Sequence, residues 1–219
     1  MHSNKYLDIK GYRDEPVPHT FFQQDTGTHH IAVLLPGMGY TAQMPLMYYP
    51  SNIMLDLGSD VLRLEYEYNR REDFIALKGN ERKRWLITDV TNACHTVLRE
   101  RSYQEITLIG KSIGTRAMGH LITTVDQFRS ARVIWLTPLL GNERLRSQIC
   151  EGGQQSLIVI GTNDPQYDQA HLEEVRKATG GETLVVDGAD HSLEIKGNVM
   201  QSLKALEKVI SAIQAFLTP

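Results

Sequence analysis

Glu105-Ile106-Thr107-Leu108-Ile109-Gly110-Lys111-Ser112-Ile113-Gly114-Thr115-Arg116-Ala117-Met118-Gly119-His120-Leu121 is the stretch that decides the fold of this chain. Its first five residues form an apolar, β-type run. Its last seven permit a helix. Between them stands G-x-S-x-G, Gly110 to Gly114. A strand, a tight turn with serine at its tip and then a helix is the context of a nucleophile elbow. The glycines keep the turn free of side-chain bulk where the strand packs against the returning helix. The serine is pushed out at the strand's C-terminal end, and the helix N-terminus behind it favours negative charge nearby.

On either side, short apolar runs alternate with helical stretches. The pattern predicts strands at Phe21–Gln24, Ile31–Leu35, Val61–Tyr68, Glu105–Ile109, Val133–Leu136, Leu157–Ile160 and Thr183–Val186. Several are near-continuous Val/Ile/Leu runs, as in strands buried on both faces. Helices are predicted at Pro45–Leu57, Glu81–Arg101, Thr115–Thr124, Asn142–Cys150, Tyr167–Ala178 and Val199–Leu217. The last carries Leu203, Leu206, Ile210 and Ile213 on one stripe. The alternation implies an α/β fold with a mostly parallel sheet covered on both faces. Ligands in such sheets sit at the C-terminal ends of the strands.

The 219 residues suit one domain, 1–219, with a sizeable core. A net charge of -3 gives no reason to expect nucleic acid as a partner. No apolar run reaches the length of a membrane span, so no membrane partner is expected. Met1 to Lys10 is polar and lacks the apolar core of a signal peptide. Cys94 and Cys150 are the only cysteines, both in helical stretches, and no disulfide is indicated. A cytoplasmic location is the expectation. Cys94 precedes His95, but adjacent helix positions do not face each other, which argues against a Cys–His pair.

The strand-end loops carry the chemistry. After Leu35 comes Pro36-Gly37-Met38-Gly39-Tyr40, a loop able to turn backbone N–H groups toward the serine. A tetrahedral intermediate needs such donors for its negative oxygen. Met38 would supply one, and Ile113, the residue after the serine, the other. The serine also needs a base, and the base an orienting carboxylate, in the chain order serine, acid, histidine. That order leaves His171 and His191. His171 sits in a helical stretch with polar neighbours, whereas His191 lies in Asp187-Gly188-Ala189-Asp190-His191-Ser192, just past the last strand. Asp164, in Gly161-Thr162-Asn163-Asp164-Pro165, is the favoured acid, and Asp187 is its rival. Asp190 adjoins His191 too closely to reach its ring.

Taken together, these pieces resemble the α/β-hydrolase superfamily. They are Pro36-Gly37-Met38-Gly39, Gly110-Lys111-Ser112-Ile113-Gly114, Thr162-Asn163-Asp164-Pro165 and Gly188-Ala189-Asp190-His191. The small size and Gly114-Thr115-Arg116 look like the compact branch related to dienelactone hydrolases. The chain departs from that branch in having Thr115 where a second glycine is common. It also lacks the histidine that many esterases carry before the position of Gly37. Dienelactone hydrolases use cysteine at the elbow, so Ser112 argues against their particular reaction. Thr137-Pro138-Leu139-Leu140-Gly141 is too short to hold the lid that the superfamily usually inserts there, which implies an open site.

The resemblance implies a serine hydrolase of esterase type that acts on a small acyl substrate through Ser112, Asp164 and His191. No metal or organic cofactor is expected. Tyr40 and Arg70 are candidate substrate contacts. Arg70 and Arg71 follow a strand on the catalytic side, where a surface pair or structural salt bridge is the commoner outcome. Lys111 and Arg116 are read as structural for the same reason. Met44, Leu46, Met47, Tyr48 and Tyr49 offer an acyl pocket, with about half of them expected in ordinary core. Two other functions fit the same residues: acyl transfer to an acceptor other than water, and binding or assembly by a hydrolase fold with a slow site.

Overall fold

The computed structural model describes residues 1–218. Eight strands form one sheet: β1 (His2–Lys5), β2 (His19–Gln24), β3 (His30–Leu35), β4 (Asp60–Leu64), β5 (Glu105–Lys111), β6 (Arg132–Leu136), β7 (Ser156–Gly161) and β8 (Glu182–Val186). Their order is β1-β2-β4-β3-β5-β6-β7-β8. The pairs β1–β2 and β2–β4 are antiparallel, and every pair from β4 to β8 is parallel. The helices between them are α1 (Pro45–Asp56), α2 (Glu72–Ala76), α3 (Gly79–Val97), α4 (Ile113–Thr124), α5 (Glu143–Gly152), α6 (Gln169–Thr179) and α7 (Val199–Leu217). No helix among the described residues is long and apolar enough to cross a membrane.

Strand periodicity divides the core in two. Ile31, Val33 and Leu35 of β3 point to one face, where they meet Val90 of α3, Leu121 of α4, Leu145 of α5 and Val175 of α6. Ala32 and Leu34 point to the other, against Met47 and Met54 of α1 and Val209 and Ile213 of α7. Both faces are thus covered, which explains the unbroken apolar runs. The loop after β6 passes straight into α5, and among the described residues no separate cap is inserted between them.

The structure departs from the sequence expectations at a few places. The strand expected over Val61–Tyr68 stops at Leu64, the residue that pairs with the first residue of β2. Beyond it Tyr66 and Tyr68 turn inward and stack with each other and with Phe74, at centroid distances of 4.5 and 4.3 Å. The helix expected to reach Arg101 ends at Val97. Arg101 instead turns back to donate to Asp60 and to the Gln24 carbonyl. Strand β1 was not foreseen, because all four of its side chains are exposed and it carries no apolar alternation. The five-residue α2 was missed as well.

Candidate active site

Strand β5 runs directly into α4 through Ser112, whose φ of 51° and ψ of -115° lie outside the ordinary regions. The Ser112 N–H donates to the Leu136 carbonyl at 3.1 Å, which ties the turn to the end of β6. Gly114 is needed because a Cβ there would sit 2.1 Å from the Leu35 carbonyl oxygen. Backbone cannot move aside as a side chain can. Gly114→Ala should therefore lower stability by about 1–3 kcal/mol or more, read as a drop in the urea midpoint. An unchanged midpoint would contradict that close approach. A Cβ on Gly110 would lie 2.1 Å from the Met118 sulfur and 3.3 Å from the Gly114 backbone carbon; the severe clash is with a flexible side chain, so Gly110→Ala should be milder.

Ser112, His191 and Asp164 come together from three strand ends. His191 Nε2 lies 2.8 Å from Ser112 Oγ. His191 Nδ1 lies 2.8 Å from Asp164 Oδ2. With Nδ1 protonated, it donates to the carboxylate, and Nε2 is free to accept from the serine hydroxyl. Asp164 is 4% exposed, and its other oxygen accepts from the Gln166 N–H at 2.8 Å.

Hydrogen bonds join the acid loop to the histidine loop. The Asn163 N–H donates to the Ala189 carbonyl at 2.9 Å, and the Thr162 N–H to that of Val186 at 3.0 Å. Asn163 Nδ2 donates to the Gly188 carbonyl. A Cβ on Gly161 would lie 2.1 Å from the Ala189 carbonyl oxygen, so glycine permits this approach. Asp187, the rival acid, is exposed and accepts from Thr162 Oγ1 at 3.1 Å. Asp190 accepts from the N–H groups of Ser192 and Glu194 and shapes the turn that carries His191. His171 lies on α6 beside Asp168, at 3.8 Å.

The loop after β3 faces the elbow. A Cβ built on Gly37 would lie 3.5 Å from the Ser112 Cβ. The buried Tyr66 hydroxyl donates to the Pro36 carbonyl at 2.9 Å, and the Gly37 N–H donates to the Tyr40 carbonyl at 3.0 Å. Among the described residues, the N–H groups of Met38 and Ile113 have no hydrogen-bond partner within the protein.

The Tyr40 hydroxyl accepts from the Leu46 N–H at 3.0 Å, and burial pushes its pKa up to about 12. Its ring lines a cavity of about 130 Å³ with Pro45, Leu46, Leu193 and Leu206, next to the histidine loop. Arg70 is not brought to the serine by any contact: its guanidinium pairs with Glu67 at 2.8 Å and its side chain is 75% exposed. Arg71 pairs with Glu15 and Asp73. On α1, Leu46 and Met47 are buried in the core, while Tyr48 and Tyr49 are exposed, as is Met44 just before it. Cys94 is fully buried, and burial pushes its thiol up to about 12, which leaves it no thiolate.

Lys111, read from the sequence as a structural surface pair or salt bridge, is neither, and the part played by Thr137 was not foreseen. Lys111 and Thr137 are buried beside the histidine loop and bonded to each other. The only sequence signal was the lysine inside G-x-S-x-G.

The family model for the alpha/beta hydrolase domain matches residues 28–218. No curated protein matches the chain significantly. Among solved structures, an esterase from Pyrococcus furiosus superposes with a TM-score of 0.69 at 15% identity, covering 99% of this chain and 92% of that one. A dienelactone hydrolase from Anabaena variabilis gives 0.71 at 14% identity, with 98% and 96% covered. Est1E from Butyrivibrio proteoclasticus, solved with ferulic acid bound, gives 0.68 at 13% identity, with 96% and 98% covered. At these identities the likeness is one of fold.

Proposed function

The chain belongs to the α/β-hydrolase family, and from that premise we propose that it is a serine hydrolase of esterase type acting on a small acyl substrate. The observation that carries this reading is the unbroken chain of hydrogen bonds from Ser112 through His191 to Asp164, each link 2.8 Å. Ser112 Oγ attacks the substrate carbonyl as His191 Nε2 takes its proton. Asp164 holds the imidazole in the right tautomer and stabilises the imidazolium. The N–H groups of Met38 and Ile113 receive the oxyanion. His191 then protonates the leaving group, and water, activated by the same imidazole, releases the acyl group. The esterases and the dienelactone hydrolase that share the fold support ester chemistry.

The small cavity beside the histidine loop, apolar at Tyr40, Leu46, Leu193 and Leu206 and polar at Ser192, Glu194 and Ser202, suits a short acyl chain. Arg70 stands on the surface as a cation that an anionic leaving group could meet only after parting from Glu67.

A panel of p-nitrophenyl esters of increasing chain length tests the reading. Short acyl groups should give the highest kcat/KM, and EDTA should leave the rate unchanged because every step is assigned to Ser112, His191 and Asp164. Turnover of no ester would refute the esterase proposal. Loss of activity on chelation, restored by a divalent ion, would refute the mechanism.

A further inference from the structure

Lys111 is a charged side chain placed in the core, with 1% of the residue exposed. Its Nζ donates to Thr137 Oγ1 at 2.8 Å and to the His191 main-chain carbonyl at 2.6 Å. It also stands 4.8 Å from the centroid of the Tyr40 ring, close enough for a cation–π contact. Among the described residues no carboxylate lies within ion-pair distance of it, and Asp164 and Asp190 act on it only from further away. Burial pushes its amine down to about 8, against the pull of those two carboxylates.

An unpaired buried ammonium is a costly way to fill space. A methionine would occupy much the same volume without the desolvation penalty. The sheet makes no demand for it, since the position opposite Lys111 in the β5–β6 register is Leu136. What lysine does and a hydrophobe cannot is donate to acceptors on two other strand ends. Three segments meet at its Nζ: the elbow strand, the turn after β6 and the loop after β8. The two receiving segments are held in unfavourable backbone. Thr137 has a φ of 43°, and Leu193, two residues past His191, a φ of 60°. Conformations of that kind persist only where surrounding contacts impose them.

We propose that Lys111 is a positioning residue: its ammonium ties the main chain of His191 to Thr137 and to the elbow strand, and so holds the imidazole between Asp164 and Ser112. This rests on the serine-hydrolase reading, but the two can fail separately. The nucleophile, base and acid are joined through side chains, and Lys111 acts on the backbone beneath the base. Lys111 touches no reacting atom. Its contribution is to geometry, and misplacement of a catalytic group by about 1 Å can slow a reaction by about a hundredfold.

The test uses the full chain, a fluorophosphonate probe and a p-nitrophenyl ester. Lys111→Met should still fold, with a Tm lowered at most modestly, and label to full stoichiometry, but at a rate about 10- to 100-fold below the parent. The ester kcat should fall by the same factor with KM little changed. Thr137→Val, isosteric but unable to accept, should show a smaller loss of the same kind. The double variant should be no slower than Lys111→Met, because the two residues form one clamp.

Labelling of folded Lys111→Met at the parental rate overturns the proposal while leaving the serine mechanism intact. Reduced stoichiometry at a parental rate constant marks a purely structural role and also overturns it. If Lys111→Met does not fold, Thr137→Val decides: slowed labelling at full stoichiometry supports the clamp, and the parental rate refutes it. A parent that does not label at Ser112 removes the serine reading, and this inference with it.

Discussion

Ser112→Ala should abolish labelling by a fluorophosphonate probe and lower ester turnover by on the order of a millionfold, the loss seen when the nucleophile of such a unit is removed. The hydroxyl oxygen is the one atom that the variant lacks. Among the described residues Ser112 Oγ is bonded only to His191, donating to its Nε2, so its removal leaves no other partner unsatisfied. The Cβ that alanine retains already occupies the strained φ of 51°. The fold should therefore survive, and the Tm should move little. Measuring labelling and melting on the same preparation separates loss of the nucleophile from loss of structure. Undiminished labelling of a folded Ser112→Ala protein would place the nucleophile elsewhere.

Asp164→Asn should have the next largest effect, a fall in kcat of up to about ten-thousandfold. The Asp164 carboxylate accepts from His191 Nδ1 with one oxygen and from the Gln166 N–H with the other. The second bond orients the group, so an asparagine that keeps its oxygen on Gln166 N–H presents its NH2 to His191. Two donors cannot face each other, and the ring must place its proton on Nε2. That nitrogen can then no longer accept from Ser112. Asp187→Asn is the control. Asp187 is exposed and bonded to Thr162, away from the imidazole, and its change should alter kcat by no more than about twofold, as is usual for surface positions. Should Asp187→Asn prove crippling and Asp164→Asn mild, the acid would be reassigned and the elbow would keep its role.

The carboxylate choice shows where sequence reading reaches its end. Asp164 and Asp187 both follow apolar strands, and both precede His191 within thirty or so residues of chain. Local pattern favours Asp164 but leaves Asp187 as a rival. They differ in three dimensions because Gly161 lets the acid loop lie against Ala189, which turns Asp164 inward and leaves Asp187 on the outside. The same limit applies to the residues after β3. Tyr40 was legible as a loop residue near the serine, but its hydroxyl is engaged by Leu46 and its ring by Lys111. Arg70 was legible as a cation on the catalytic side. Its neighbour Glu67, one helical turn earlier, takes the guanidinium.

The sequence by itself determined what depends on short-range periodicity and on single residues of unusual backbone. Runs such as Ile31 to Leu35 and Leu157 to Ile160 are apolar throughout because both faces of a parallel sheet are buried, and such runs read as strands in one dimension. Gly110 to Gly114 announces the elbow because only small residues allow that turn. The order of serine, acid and histidine loops follows from chain position alone. Tertiary structure decided what depends on meetings between distant segments. It set Asp164, the favoured of two acids, against the His191 ring and brought Lys111 beneath a histidine loop 80 residues away. It also added β1, whose exposed residues are held by pairing with β2 rather than by any apolar pattern of their own. The physical reason is common to all three: hydrogen bonds between distant segments are made by groups that carry no periodic signal, and their partners are chosen only when the sheet sets those segments side by side.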